Sequence, residues 1–470
     1  MSSRASRRRR LGMSTALVVV IAVAIGVSQA VGAGRVAAGS RATRADAPQL
    51  PAASLAAAQK AARAITGGKR LGGDVDFLGV VTGGPADALL AALKPFEEAT
   101  GVKVNYAATF SQQSILQTRI DAGNPPDVVF SAYPVQLTQL AKQGKLIPLD
   151  KIINLRKVRS QYPKALLDLG TVNGKLYAYF AIVNYHALLW YNPTKYTGPR
   201  NPTWAQLSSW TRQSAAQGKP PWCLGIESGA ATGWPAANEL LVSLFLRRYG
   251  PALATRWVQG KLAWSSPQVR WAWQTMGSIF TDPKLVTGGA AAVASTNFLA
   301  AGNGMFTDPP TCYLLSQAQW YGSYVPAAVK GATAADISYF RFPSITRSFK
   351  NLQTVDGNQI ALLRNRAQGR ALVAYMATPE FETLLAQSGA FFVPNAAVSY
   401  NLYPSPLARR LAKQLISSKQ AKANTIVLPT VLFPVPVTDA FFKNLSSYLQ
   451  NPDQLDRYLR EMDSVVGRSK

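Results

Sequence analysis

A single histidine and two cysteines set the chemical limits of this 470-residue chain. Zinc and iron sites draw on clusters of His and Cys. A serine or cysteine nucleophile needs a positioned imidazole, for which His186 is the one candidate. No metal and no cofactor is therefore expected, and the apolar extended stretch around His186 suits a core or hinge histidine better than a base. Cys223 and Cys312 do not form a Cys-x-x-Cys pair, which argues against thiol redox catalysis. Two carboxylates could still hydrolyse a glycoside, at separations of roughly 5–10 Å. Glu227 and Asp308 could be nominated for that, but nothing in their spacing brings them together.

Basic residues dominate the charge, with 50 Lys+Arg against 23 Asp+Glu and a net charge of +27. An excess of that size raises the possibility of a nucleic-acid or polyanion partner. Residues 1–33 carry five Arg and no acid, and residues 34–73 carry seven Lys/Arg and one Asp, so the leading segments hold much of the excess. Elsewhere the basic residues are scattered, as at Arg247-Arg248, Arg364, Arg366 and Arg409-Arg410, and nucleic acid is not an expected partner. The body is expected to be folded, because 10 Trp, 18 Tyr and 18 Phe can bury a large apolar surface.

The elements that position these residues follow from the hydrophobic pattern. Residues 1–33 join a basic start to an apolar run, Ala16 to Val27, and a small-residue stretch, which reads as a signal peptide or an uncleaved signal anchor. Residues 34–73 lack aromatics and read as a flexible basic tether, with room for a short Ala-rich helix from Ser54 to Ile65. Strands are then expected at Val75–Val81, Val102–Ala107 and Asp127–Phe130, each followed by an amphipathic helix. Three βα units in succession imply an α/β fold with a parallel, doubly wound sheet. Ligands of such sheets bind at the carboxyl ends of the strands. The loops there contain Gly83 and Gly84, Phe110, and Tyr133. Asn173–Trp190 is dense in aromatic and β-branched residues, and a crossing between lobes is expected near Ala181–Asn184.

Several segments, in order, resemble the extracellular solute-binding proteins of bacterial ABC importers, and among them the sugar-binding group that includes α-glucoside binders. They are Ala92–Val104 (ALKPFEEATGVKV), Arg119–Val128 (RIDAGNPPDV), Leu137–Asp150, Asn173–Tyr177 (NGKLY), Trp190–Asn192 (WYN), Pro202–Leu207, Pro221–Pro235 (PWCLGIESGAATGWP), Thr307–Gln317 and Ala374–Asn395. The resemblance spans about residues 74–470. It implies a two-lobed periplasmic-binding-protein-like fold of type II, with doubly wound sheets joined by hinge strands. The first lobe would comprise 74–183 and 356–395, and the second 184–355 and 396–470. It further implies a receptor that captures a carbohydrate-like solute between its lobes, delivers it to a membrane permease and has no catalysis of its own. Such a receptor would work as a monomer at the extracellular face of the membrane or in the periplasm.

Within that resemblance, Cys223 and Cys312 match positions where related members carry cysteines, and in an oxidising compartment they would form one disulfide; two unpaired buried thiols is the alternative. Trp234 is the leading ligand contact, since sugar rings offer flat CH faces that stack on indole. Packing within the second lobe would explain it too. Phe110 or Tyr133 could supply an opposing ring, while Gly83 and Gly84 could admit close backbone approach or simply form a tight turn. Glu227, Ser228 and Gln317 are polar candidates that could equally be structural hydrogen-bond partners. Asp127 reads as structural.

The chain departs from related sugar binders after Gly-Trp-Pro, where they carry Thr-Asp and it has Ala236-Ala237 followed by Asn238-Glu239. It also lacks their acids before the late proline, across Ile426–Val437. Fewer carboxylates point toward a less hydroxylated or an anionic ligand. A polyanion binder and a carboxylate-dependent glycoside hydrolase remain the competing readings.

Overall fold

The computed structural model describes residues 49–469 other than 330, 331, 334, 351 and 417–424. The segment 1–33 and the first part of the expected tether lie outside the described residues. Within them, no helix is long and apolar enough to cross a membrane.

The remainder of that expected tether holds the Ala-rich helix for which the sequence left room, α1 (Ala52–Ile65), but the helix is packed, which corrects the flexible reading of this part. Alanines at every third or fourth position let α1 lie close against its neighbours, and Ala58 and Ala62 are fully buried. Its contacts are with α2 (Gly84–Thr100) and with the helices Ala367–Met376 and Pro379–Ser388. The folded body thus begins some twenty residues before Asp74.

Strands β1 (Asp74–Gly79), β2 (Lys103–Ala108) and β3 (Val128–Ser131) alternate with α2, α3 (Gln112–Asp121) and α4 (Pro134–Lys142). Both β2 and β3 pair with β1 in parallel. Gly83, at φ +64°, turns the chain into α2, Pro85 occupies the first turn, and Gly101 in a left-handed conformation ends the helix. Buried Asp127, at the entry to β3, accepts from the Asp76 amide at 3.0 Å and from Arg366 at 2.8 Å, the structural role expected of it.

A short hairpin, β4 (Thr171–Val172) and β5 (Lys175–Leu176), leads to the long crossing strand β6 (Ala178–Tyr185). After His186 and Ala187 the chain enters β7 (Leu188–Tyr191) in a second sheet, where β8 (Leu315–Gln317) and β9 (Ser338–Arg341) flank it, both antiparallel. Ala187 holds φ +62°, a left-handed conformation that costs a β-carbon residue about 1–2 kcal/mol. The return strand β10 (Gln353–Leu362) pairs antiparallel with both β6 and β3, and β11 (Thr425–Val427) extends the first sheet beside it. The first sheet is therefore mixed, with a parallel core and antiparallel crossing strands.

The two lobes differ in their interiors. The first packs Phe77, Phe96, Phe130, Leu372, Tyr375 and Phe381 around the larger sheet. The second is helix-rich and built on tryptophans: Trp257, Trp264 and Trp273 meet Phe441 at centroid distances of 4.8–6.2 Å. The expected assignment of everything after residue 395 to the second lobe does not hold. Tyr403 stacks on Phe392 at 4.9 Å and accepts from the Val393 amide, and β11 joins the first sheet, so the segment around Tyr403 and β11 itself belong with the first lobe.

Candidate ligand-binding site

Aromatic rings from the two lobes meet at the strand ends of the first sheet. Phe110, in the loop between β2 and α3, contacts Phe298 of the second lobe edge-on at 5.4 Å. Phe298 in turn meets Trp234 at 5.1 Å and Trp320 at 5.9 Å. Phe298 is buried, while Phe110, Trp234 and Trp320 keep part of their surface open. Such edge-on geometry leaves ring faces available, and each face can take the CH side of a pyranose.

Local sequence places Trp234 in this group. Gly233 sits at φ +107°, and a β-carbon there would lie 2.5 Å from the Phe442 carbonyl oxygen. Only glycine lets this loop approach the helix Val435–Gln450, and Pro235 then starts the π-helical turn Ala236–Leu241.

Tyr133, the residue before α4, contributes a second kind of group. Burial pushes its hydroxyl up to about 12, helped by the negative charges of Asp439 and Asp356. It is thus a protonated donor within the field of two carboxylates. Asp439 is the fifth residue of the helix Val435–Gln450, and partial desolvation raises its carboxyl above the usual range. Behind Tyr133 lies a layer of glutamines. Gln359 is opposite Ser131 in the β10–β3 register, and Gln136 donates to the Gln113 carbonyl at 3.0 Å. Gln112 and Gln359 are fully buried, and both amide atoms of each lack a partner among the described residues.

The other candidates divide differently. Gly83 and Gly84 are exposed, and a side chain at either would project into open space, so the turn at Gly83 explains that residue. Glu227 has both carboxylate oxygens committed, to the Gly229 amide at 2.9 Å and to Asn297 Nδ2 at 2.7 Å, which hold its pKa below the ordinary carboxylate range. Gln317 is buried; its carbonyl accepts from Trp190 Nε1 and its side chain from the Ala318 amide. Ser228 is buried too, and its hydroxyl has no partner among the described residues. Asp308 is exposed and pairs with Lys195 at 3.0 Å. Glu227 and Asp308 thus serve separate local contacts.

Cys223 and Cys312 form a disulfide across 89 residues. It ties the segment that leads to Glu227 and Trp234 to the segment entering β8, where the Cys223 amide also bonds the Leu314 carbonyl at 2.7 Å.

His186 lies at the crossing between β6 and β7, as a hinge histidine should. Nδ1 is 2.5 Å from Glu239 Oε1 and Nε2 is 3.0 Å from Asp356 Oδ1. Burial opposes its charge, but the two carboxylates prevail and push its pKa up to about 10. Sequence reasoning passed over Phe298, Trp320, Asp439 and Asp356. The two rings stand outside the segments that carried the resemblance, and Asp439 follows the stretch searched for acids by two residues.

The comparisons agree with one another. The family model for bacterial extracellular solute-binding proteins matches residues 82–382. The osmoprotective compounds-binding protein GgtB of Synechocystis sp. is 33% identical over 344 residues, which are 73% of this chain and 81% of that one. The alpha-glucosides-binding periplasmic protein AglE of Rhizobium meliloti is 31% identical over 335 residues, 69% of this chain and 72% of that one. Among solved structures, a chitin oligosaccharide binding protein superposes with a TM-score of 0.69 at 20% identity, covering 83% of this chain and 97% of its own. The solute receptor AcbH gives 0.70 at 15% identity, over 84% and 99%. With two lobes, crossing strands and an aromatic seam between them, this chain belongs to the bacterial extracellular solute-binding protein family.

Proposed function

We propose that this protein closes its lobes on an uncharged, hydroxyl-rich solute, of the α-glucoside or osmoprotectant kind that its relatives' names describe, and presents it to an ABC permease. It does so outside the cytoplasm, as a monomer. Residues 1–33 export it, and either leave the mature protein or hold it at the membrane. A hinged cleft encloses a small ligand nearly completely, and preferential binding to the closed form shifts the population toward it.

The aromatic seam of Phe110, Phe298 and Trp234 carries this reading, because it puts rings from both lobes where the loops of the first sheet converge. Tyr133, held protonated by burial, adds a neutral hydroxyl donor. An anionic ligand, one of the two departures from a sugar that the missing acids suggested, loses support: Asp439 and Asp356 both act on Tyr133 and would repel it.

Calorimetry with maltose, trehalose, sucrose and glucose 6-phosphate tests the proposal. At least one neutral glucoside should bind with a Kd of about 1 μM or below. Binding of the phosphate alone, or of none of the four by folded protein, would overturn it.

A further inference from the structure

We infer that Asp356 is a hydrogen-bond acceptor for the solute, held in place at the hinge by Asn184, His186 and Glu239. This rests on the reading of the cleft as a hydroxyl-binding site. Asp356 stands on β10 directly opposite Asn184 of β6. Its Oδ1 accepts from Asn184 Nδ2 at 2.9 Å and lies 3.0 Å from His186 Nε2. Glu239, from the second lobe, fixes the other edge of the imidazole at 2.5 Å. His186 and Glu239 are almost fully buried, whereas the Asp356 side chain keeps 11% of its surface open.

One carboxylate oxygen is thus occupied and the other is not. Oδ2 has no hydrogen-bond partner among the described residues, and it is not one of the fully enclosed polar atoms. Because Oδ1 accepts from Asn184 and lies in ion-pair range of the His186 ring, the direction of Oδ2 is set before any solute arrives, which lowers the ordering cost of binding. Two carboxylates around one imidazole leave a surplus of negative charge, and no Lys or Arg lies within 4.0 Å of Asp356 among the described residues. A neutral hydroxyl meets that oxygen as a charge-assisted donor, whereas an anionic group is repelled. Asp356 stands on β10 three residues before Gln359, which is opposite Ser131, so the acceptor lies on the strand that pairs with the one leading into Tyr133. A carboxylate on the hinge strand would supply what the positions after Gly-Trp-Pro and before the late proline lack. His186 and Glu239 are positioning residues in this arrangement.

The test takes whichever of maltose, trehalose and sucrose wild type binds most tightly, with its monodeoxy derivatives, in calorimetry. Asp356→Asn should weaken binding about 10- to 100-fold. One deoxy derivative that wild type binds about tenfold worse than its parent should cost Asp356→Asn nothing further, which is the signature of a lost direct contact. Trp234→Ala should keep the sensitivity to that hydroxyl, and His186→Gln should blunt it. Wild-type affinity in Asp356→Asn, or an equal loss for the parent and every deoxy sugar, overturns the inference while the binding reading stands. Should Asp356→Asn not melt cooperatively, Asn184→Ala frees the same carboxylate. It should bind about 3- to 10-fold more weakly with reduced sensitivity to that hydroxyl, and unchanged affinity overturns the inference. If wild type binds none of the sugars, the reading and the inference fall together.

Discussion

Glu239 of the second lobe and His186, the first residue after the strand leaving the first lobe, approach to 2.5 Å in a fully buried contact. With Asp356 on the other edge of the ring, the pair fastens the helical lobe to both crossing strands.

Removing His186 leaves two buried carboxylates without their shared cation. His186→Ala should therefore cost about 3–5 kcal/mol in denaturant unfolding, and adding Glu239→Gln should recover part of it. The sign with pH follows from the raised pKa. The stabilisation is complete below the unfolded value of about 6.5. It is lost as pH rises through about 10, where the folded histidine titrates. Wild type should lose stability between pH 7 and 10, and His186→Ala should lose less over the same range.

Trp234 and Glu227 sit seven residues apart and should behave oppositely. Trp234→Ala removes a cleft ring and should weaken sugar binding about tenfold or more, with little change in melting temperature. Glu227→Ala breaks two local hydrogen bonds, to Gly229 and Asn297, and should cost about 1–3 kcal/mol of stability with a small effect on affinity. Calorimetry and thermal melts on the two variants separate the roles.

The disulfide closes a loop of 89 residues. Replacing both Cys223 and Cys312 by Ser should destabilise the protein by about 2–5 kcal/mol, measured by denaturant unfolding. Since the bridge ties the Trp234 segment to the β8 segment, added dithiothreitol should also weaken sugar binding by wild type.

Helix α1 tests where the folded body begins. A chain shortened to start at Asp74 loses Leu55, Ala58, Ala62 and Ile65 from the first-lobe cluster. It should be less stable by about 3 kcal/mol, by the same unfolding measurement, if the helix contributes as its burial indicates. A truly flexible tether would be removed without effect.

The βα alternation was readable because each strand of the first lobe is bounded by its own glycine or proline turn: Gly83 before α2, Gly101 after it, Pro134 at α4. Helix α1 was harder, since alanines give a weak hydrophobic signal although small side chains are what close packing requires. The site was legible in part for the same reason of range. Phe110, Tyr133 and Trp234 could be nominated from loops and local motifs. Phe298 meets Phe110 from nearly 190 residues away, and Asp439 bears on Tyr133 from just over 300, and no local pattern announces such pairings. His186 could be read as a hinge residue, but the Glu239 and Asp356 that surround it come from elements the sequence does not join.

A crystal structure grown with the tightest-binding glucoside tests the central claim most directly. The sugar should lie between Phe110 and Tyr133 of one lobe and Phe298 and Trp234 of the other, with a ring face stacked on an aromatic side chain. A sugar bound elsewhere on the protein, with the aromatic seam unchanged, would contradict it.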